Sequence, residues 1–106
     1  MESEKTERKL AAILHADVVG YSRMMGEDEV GTLRTLTTYR EVMFSLIEMH
    51  HGKVVGTAGD SVLAEFVSSF ESVECAIEIQ GALLARNAGL PDERKMEFRI
   101  GINMGE

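Results

Sequence analysis

Cysteine is nearly absent from this chain. Cys75 stands alone among 106 residues, so no internal disulfide can form and a reducing cytoplasm is the expected compartment. Basic residues are also short, with 11 Lys and Arg against 18 Asp and Glu and a formal charge of −7. A nucleic-acid footprint needs a basic face, so nucleic acid is not an expected partner. No apolar run approaches the ~20 residues of a membrane-spanning helix. Residues 1–8 are highly charged and lack the apolar middle of a signal peptide, and they read as a solvated tail. Neither a Walker A sequence nor a GxGxxG occurs, which argues against a P-loop enzyme or a Rossmann dehydrogenase.

What is present suits a single domain spanning residues 9–106, with 44% apolar residues. Leu10 to Val19 is an apolar run interrupted only by His15 and Asp17, the pattern of a central strand buried on both faces. From Asp28 to His50, Val30, Leu33, Leu36, Met43, Leu46 and Ile47 recur at helical spacing, and Gly52 stops that helix. Lys53 to Val55 and Val62 to Phe66 form two short strands around the turn Thr57 to Asp60. A second helix begins near Ser68, whose spacing to Glu71 matches a capping box, and is expected to bury Val73, Ala76, Ile77, Gln80, Leu83 and Leu84. Met96 to Met104 alternates as a half-buried strand. The order β-α-β-β-α-β predicts a ferredoxin-like α+β fold, an antiparallel sheet with two helices on one face.

Two aspartates stand out. Asp17 in Ala16-Asp17-Val18-Val19-Gly20-Tyr21-Ser22 and Asp60 in Gly59-Asp60-Ser61 each sit where an apolar, β-branched run meets a glycine. Either could simply close a local turn, Asp17 through Gly20 to Ser22 and Asp60 at the hairpin. Together they suit a divalent metal, because Mg²⁺ or Mn²⁺ prefers hard oxygen donors and is commonly held by one or two carboxylates plus substrate phosphates. The acidic charge does not oppose a nucleotide, since a metal ion neutralises phosphates locally. The backbone amides of Val19, Gly20, Tyr21 and Ser22 precede a helical turn and would make an anion nest.

Three ordered blocks carry a resemblance: Arg8 to Glu29, His51 to Asp60 and Phe98 to Glu106. Together they resemble the N-terminal part of a class III adenylate/guanylate cyclase catalytic domain of the bacterial type. The resemblance implies that Asp17, Asp60 and the backbone carbonyl of Val18 are ligands of a two-metal site for Mg²⁺ or Mn²⁺. It implies ATP or GTP as substrate, a 3′,5′-cyclic nucleotide and pyrophosphate as products, and a homodimer or a complete cyclase domain as partner.

The chain departs from the family pattern at three places, one of them Ser61, where a glycine usually follows the second metal aspartate. A lysine that helps read the purine usually stands four residues before the second metal aspartate, and here that position is Gly56. Lys53, three residues away, is expected on the opposite face of its strand. The family's later Asn-x-x-x-Arg, which stabilises the transition state across the dimer, has no match in these 106 residues. The resemblance thus implies a partial cyclase domain that is inactive as this chain, with a non-catalytic nucleotide-binding or dimerisation module as the alternative. An RNA-binding ferredoxin-like domain is disfavoured, because Met96 to Met104 offers only Phe98 for base stacking. His15, His50 and His51, Cys75, Glu97, Arg99 and the methionines are read as packing, helix-end or solvent-face residues.

Overall fold

The structure is a computed structural model that describes residues 11–105. The expected tail at 1–8, residues 9 and 10, and Glu106 lie outside the described residues. Strand β1 (Ala11–Val18) alternates along its length, with Ala12, Leu14, Ala16 and Val18 buried and His15 exposed. One face therefore meets the core and the other is open, which corrects the expectation of a strand buried on both faces. The polar interruptions His15 and Asp17 share the open face because strand side chains alternate with period 2.

A short helix α1 (Tyr21–Glu27) follows, where only a helical turn was expected. It starts from Gly20 in the left-handed region (φ 70°) with no side-chain cap, so the usual N-terminal signal is missing. Asp28 then caps the long helix α2 (Glu29–Met49), its Oδ1 accepting the Gly31 N–H at 3.0 Å. Helix α2 buries Thr32, Leu36, Tyr39, Met43 and Ile47, while Val30 and Leu33 face solvent. Past its end, His51 rather than Gly52 takes the left-handed conformation (φ 65°). Gly52 answers a steric demand instead: a Cβ there would lie 2.4 Å from the Phe66 ring.

Strands β2 (Lys53–Ala58) and β3 (Ser61–Phe66) form the expected hairpin, longer than predicted, with Gly59 at positive φ (56°) in its two-residue loop. Helix α3 (Ser69–Asn87) begins as expected, Ser68 Oγ accepting the Glu71 N–H at 3.2 Å. Its buried face differs from the predicted one. Ser72, Cys75, Ile79, Leu83 and Asn87 point inward, whereas Val73, Ile77 and Leu84 are exposed. Strand β4 (Phe98–Gly105) closes the sheet. At its entry Asn87 Nδ2 donates to the Met96 carbonyl (2.9 Å), while Asn87 Oδ1 accepts from Met96 N–H (3.1 Å) and Tyr39 Oη (2.6 Å).

The four strands lie in the order β2-β3-β1-β4, every neighbouring pair antiparallel. Buried residues of α2 and α3 join those of β1 and β3 in one core, so both long helices cover the same sheet face. This is the ferredoxin-like α+β arrangement expected from the element order, with α1 added. The uncovered face and the β1 C-terminal end carry the aspartates.

Candidate functional site

Register explains why Asp17 and Asp60 come to the same sheet end. Strand β1 runs two residues beyond its last pair with β3, Ala16↔Val62. Continuing that register sets Asp60 opposite Val18 and Ser61 opposite Asp17. The Val18 N–H accordingly donates to Asp60 Oδ2 at 2.9 Å. On its other side Val18 sits opposite Phe98, next to a bond from Val19 N–H to the Glu97 carbonyl at 2.8 Å. Antiparallel ladders alternate bonded and non-bonded pairs, so both backbone groups of Val18 turn away from β4 and toward the turn of Asp60. The Val18 carbonyl therefore faces the side on which Asp60 lies.

Asp17 projects onto the open face, its side chain 27% exposed. Its cross-strand partner is Arg99, whose Nε and Nη2 both donate to Asp17 Oδ1, at 2.9 and 2.8 Å. The other oxygen, Oδ2, lies 3.9 Å from His15 Nδ1. Arg99 and His15 were read as a solvent-face charge and a packed residue, yet both touch this carboxylate. A second arginine holds the other half of the site. Arg40 of α2 donates from Nη2 to the carbonyls of Gly59 and Ser61, which flank Asp60. Its reach across the hairpin had no signal in the sequence, because nothing in a helix period tells which turn a half-buried arginine will meet. The partner of Arg99 does follow from aligning β1 against β4, once that pairing is known.

The expected phosphate nest is altered at one residue. The Val19 amide is committed to Glu97, so it is not available to an anion in this arrangement. Gly20, Tyr21 and Ser22 remain at the start of α1, where helix N–H groups lack intrahelical acceptors. Gly56 lies in β2, and a side chain added there would meet nothing within 4 Å. The expectation that Lys53 faces the other way is corrected by a β-bulge. Lys53 pairs with Glu65 and Gly56 with Leu63, the register shifting by one residue between Val54 and Gly56. Glu65 and Leu63 are two residues apart on β3, so Lys53 and Gly56 share the open face.

Among the described residues no group of three or more His, Cys, Asp or Glu converges to hold a metal ion. The donor set is two carboxylates and a backbone carbonyl. Asp60 Oδ1 and Asp17 Oδ2 are the oxygens not taken by Val18 and Arg99. Such a set fits a hard divalent cation that draws its remaining ligands from phosphate and water.

The chain is similar to known proteins in sequence and in fold. No family model matches the chain. A protein of Rhizobium meliloti (strain 1021) provisionally named adenylate cyclase 3 is 45% identical over 107 residues, covering 100% of this chain and 18% of that protein. The crystal structure of an adenylate/guanylate cyclase/hydrolase from Silicibacter pomeroyi superposes with a TM-score of 0.84 at 41% identity, over 93% of this chain and 58% of that one. The guanylyl cyclase Cya2 matches with a TM-score of 0.79 at 27% identity, over 93% of this chain and 55% of that one. In sequence and fold, the chain is similar to part of a class III adenylate/guanylate cyclase domain. It spans less than two thirds of each of these relatives, from 18% to 58% of their length. No helix among the described residues is long and apolar enough to cross a membrane.

Proposed function

We propose that this chain supplies one half of a nucleotide cyclase site, binding ATP or GTP as its complex with Mg²⁺ or Mn²⁺. The observation that carries the reading is the bond from Val18 N–H to Asp60 Oδ2. It fixes the second aspartate at the β1 end, beside the Val18 carbonyl and one residue from Asp17. Those three groups would hold the cation. When bound, it would lower the pKa of the ribose 3′-hydroxyl and neutralise phosphate charge, as in two-metal phosphoryl chemistry. Asp60 keeps its orientation through Val18 and through the Arg40 clamp on its turn. The amides of Gly20, Tyr21 and Ser22 would orient the polyphosphate, and the uncovered sheet face would meet a second cyclase domain, in a homodimer or with a complete partner.

A non-catalytic binding or dimerisation module in the cytoplasm is the second reading, favoured by the Arg99 hold on Asp17 and by Gly56 at the purine-reading position. On either reading the chain by itself forms no measurable cyclic nucleotide. No Asn-x-x-x-Arg is present to stabilise the departing pyrophosphate, and losing one such donor costs on the order of 100-fold or more. The test is calorimetry of Mn²⁺ with ATP against the chain, Asp17→Ala and Asp60→Asn. Binding should weaken in both variants, and undiminished binding would overturn the site assignment. Product from the unaltered chain that disappears in Asp60→Asn would overturn the inactivity.

A further inference from the structure

We infer that helix α2 sets the gap between the two aspartates of the cation site, with Arg40 as a positioning residue for Asp60. The inference rests on the cation reading proposed above and adds to it the device that keeps the two carboxylates at one separation.

The contacts around the site form a closed ring. Asp17 and Val18 end β1, and only Val19 and Gly20 separate them from α1. Helix α1 has 7 residues and no side-chain cap, too short to hold a position by itself. It takes its place from α2. Met24 is buried, and its carbonyl accepts from the Thr32 hydroxyl at 3.0 Å and from the Asp28 N–H at 2.9 Å. Further along α2, Arg40 Nη2 donates to the Gly59 and Ser61 carbonyls on either side of Asp60. The bond from Val18 N–H to Asp60 Oδ2 closes the ring at 2.9 Å. Among the described residues no other side-chain hydrogen bond joins α2 to the β2–β3 turn.

The span between the two ties is stiff. Thr32 and Arg40 stand about 12 Å apart along the helix axis, and Leu36 and Tyr39 between them are buried in the core. A hairpin tip, by contrast, is ordinarily the mobile end of a sheet. Ser61 Oγ turns back on the Ala58 carbonyl at 2.8 Å, within the hairpin, and adds no second tie. Arg40 is not placed there by the best pairing of its own donors. Its Nε is buried and has no hydrogen-bond partner among the described residues, an unfavourable state for a donor. What the side chain gains in that position is its grip on the turn. A displacement of α2 would reach Asp60 through Arg40 and the end of β1 through α1, so this helix is the element through which the gap between the carboxylates is held or altered.

The experiment combines residue-resolved amide exchange with Mn²⁺ titration on the 106-residue chain. Exchange of the Val18 amide reports its bond to Asp60 with no ligand present, and the titration reports the paired carboxylates. Arg40→Met should speed Val18 exchange about tenfold and weaken Mn²⁺ binding about tenfold, the lower end for a lost partner of a metal ligand. Exchange of the Leu14 amide and the circular dichroism should not change. Arg40→Lys should restore most of both losses, because an ammonium can also donate to two carbonyls. Thr32→Val cuts the tie to α1 with a side chain of nearly the same shape and should move Val18 exchange and Mn²⁺ binding in the same directions. A ring cut twice is no looser than a ring cut once, so the double variant should bind Mn²⁺ as Arg40→Met does. Losses that multiply in the double variant, or Val18 exchange and Mn²⁺ binding unchanged in Arg40→Met, would overturn the inference. If Arg40→Met fails to fold, Val18 exchange in Thr32→Val decides alone. Asp60→Asn separates the inference from the reading beneath it: undiminished Mn²⁺ binding there sinks the cation site, and Val18 exchange in Arg40→Met then decides the ring by itself.

Discussion

Replacing Arg99 with Gln should tighten Mn²⁺ binding at the aspartate pair, although it removes a residue that touches the site. Two guanidinium nitrogens share Asp17 Oδ1 at 2.8 and 2.9 Å, so a cation bound to Asp17 must sit beside a fixed positive charge. For a divalent ion about 4 Å from that charge, Coulomb's law gives roughly 2 kcal/mol of repulsion in water and about four times that at an effective dielectric of 20. The Arg99 side chain is 70% exposed, so the water-like end applies and screening trims it further. Removal should therefore contribute on the order of 1–2 kcal/mol, about a tenfold gain in affinity. Stability should hardly change, because exposed ion pairs are worth about 0–1 kcal/mol.

The assay is Mn²⁺ titration followed by water-proton relaxation, at low and high salt, on the chain and on Arg99→Gln. The gain should shrink at high salt, where exposed charges are screened. It should also shrink with ATP present, because a phosphate gives the guanidinium another partner. Equal or weaker Mn²⁺ binding by Arg99→Gln would refute the reasoning and show that Arg99 supports the cation site instead of competing for it.

Gly52→Ala should destabilise the fold by about 1–3 kcal/mol in urea titration, because its Cβ would lie 2.4 to 2.8 Å from three atoms of the buried Phe66 ring; Phe66→Leu in the same chain should recover part of that loss. Burial, followed by the nearby Glu78 charge, pushes the Cys75 thiol up to about 11 from 9.0, and burial raises Tyr39 above 10.0 against a smaller opposing effect of Arg86. Both folded values exceed the unfolded ones, so the stability that Cys75 contributes is complete below pH 9 and is lost as pH rises through about 11, and Tyr39 adds a loss in the same direction as pH rises. A flat stability profile across that window would contradict it, and native Cys75 should resist alkylation at pH 7. Gly56→Lys should fold normally, since nothing lies within 4 Å of a Cβ there; competition binding should then separate ATP from GTP more than in the unaltered chain.

Element order was legible because each period was strong in its place: alternation in β4, helical spacing in α2, and the Ser68 to Glu71 cap of α3. The buried side of α3 was not. That helix is apolar on two flanks, with Cys75, Ile79 and Leu83 on one and Val73, Ile77 and Leu84 on the other, so hydrophobic spacing alone does not choose between them. Packing against β1 and β4 chose the first. Helix α1 went unread because its start rests on a left-handed glycine, a backbone state that leaves no side-chain cap to recognise.

The site shows a sharper division. Both aspartates stood out in the sequence through the family blocks that contain them, each alone being equally a turn residue, and the pairing of β1 with β3 brings them to one sheet end. Their partners depend on registers that no single segment encodes. Arg99 reaches Asp17 only because β4 pairs with β1 in one particular alignment, and Arg40 reaches the Asp60 turn from another element altogether. The bulge in β2 makes the same point by reversal. Counting by twos puts Lys53 and Gly56 on opposite faces, and the one inserted residue puts them on the same face, two cross-strand positions apart. At about 3.3 Å per residue those positions are separated by roughly 7 Å along the strand, a gap that a lysine stem can span. The base-side boundary of the proposed site is therefore set by backbone irregularity as much as by the glycine that replaced its side chain. Lys53→Ala, made beside Gly56→Lys, separates the two: a loss of nucleotide affinity in Lys53→Ala assigns the bulge a part in binding, and an unchanged affinity leaves the base-side boundary to Gly56 alone.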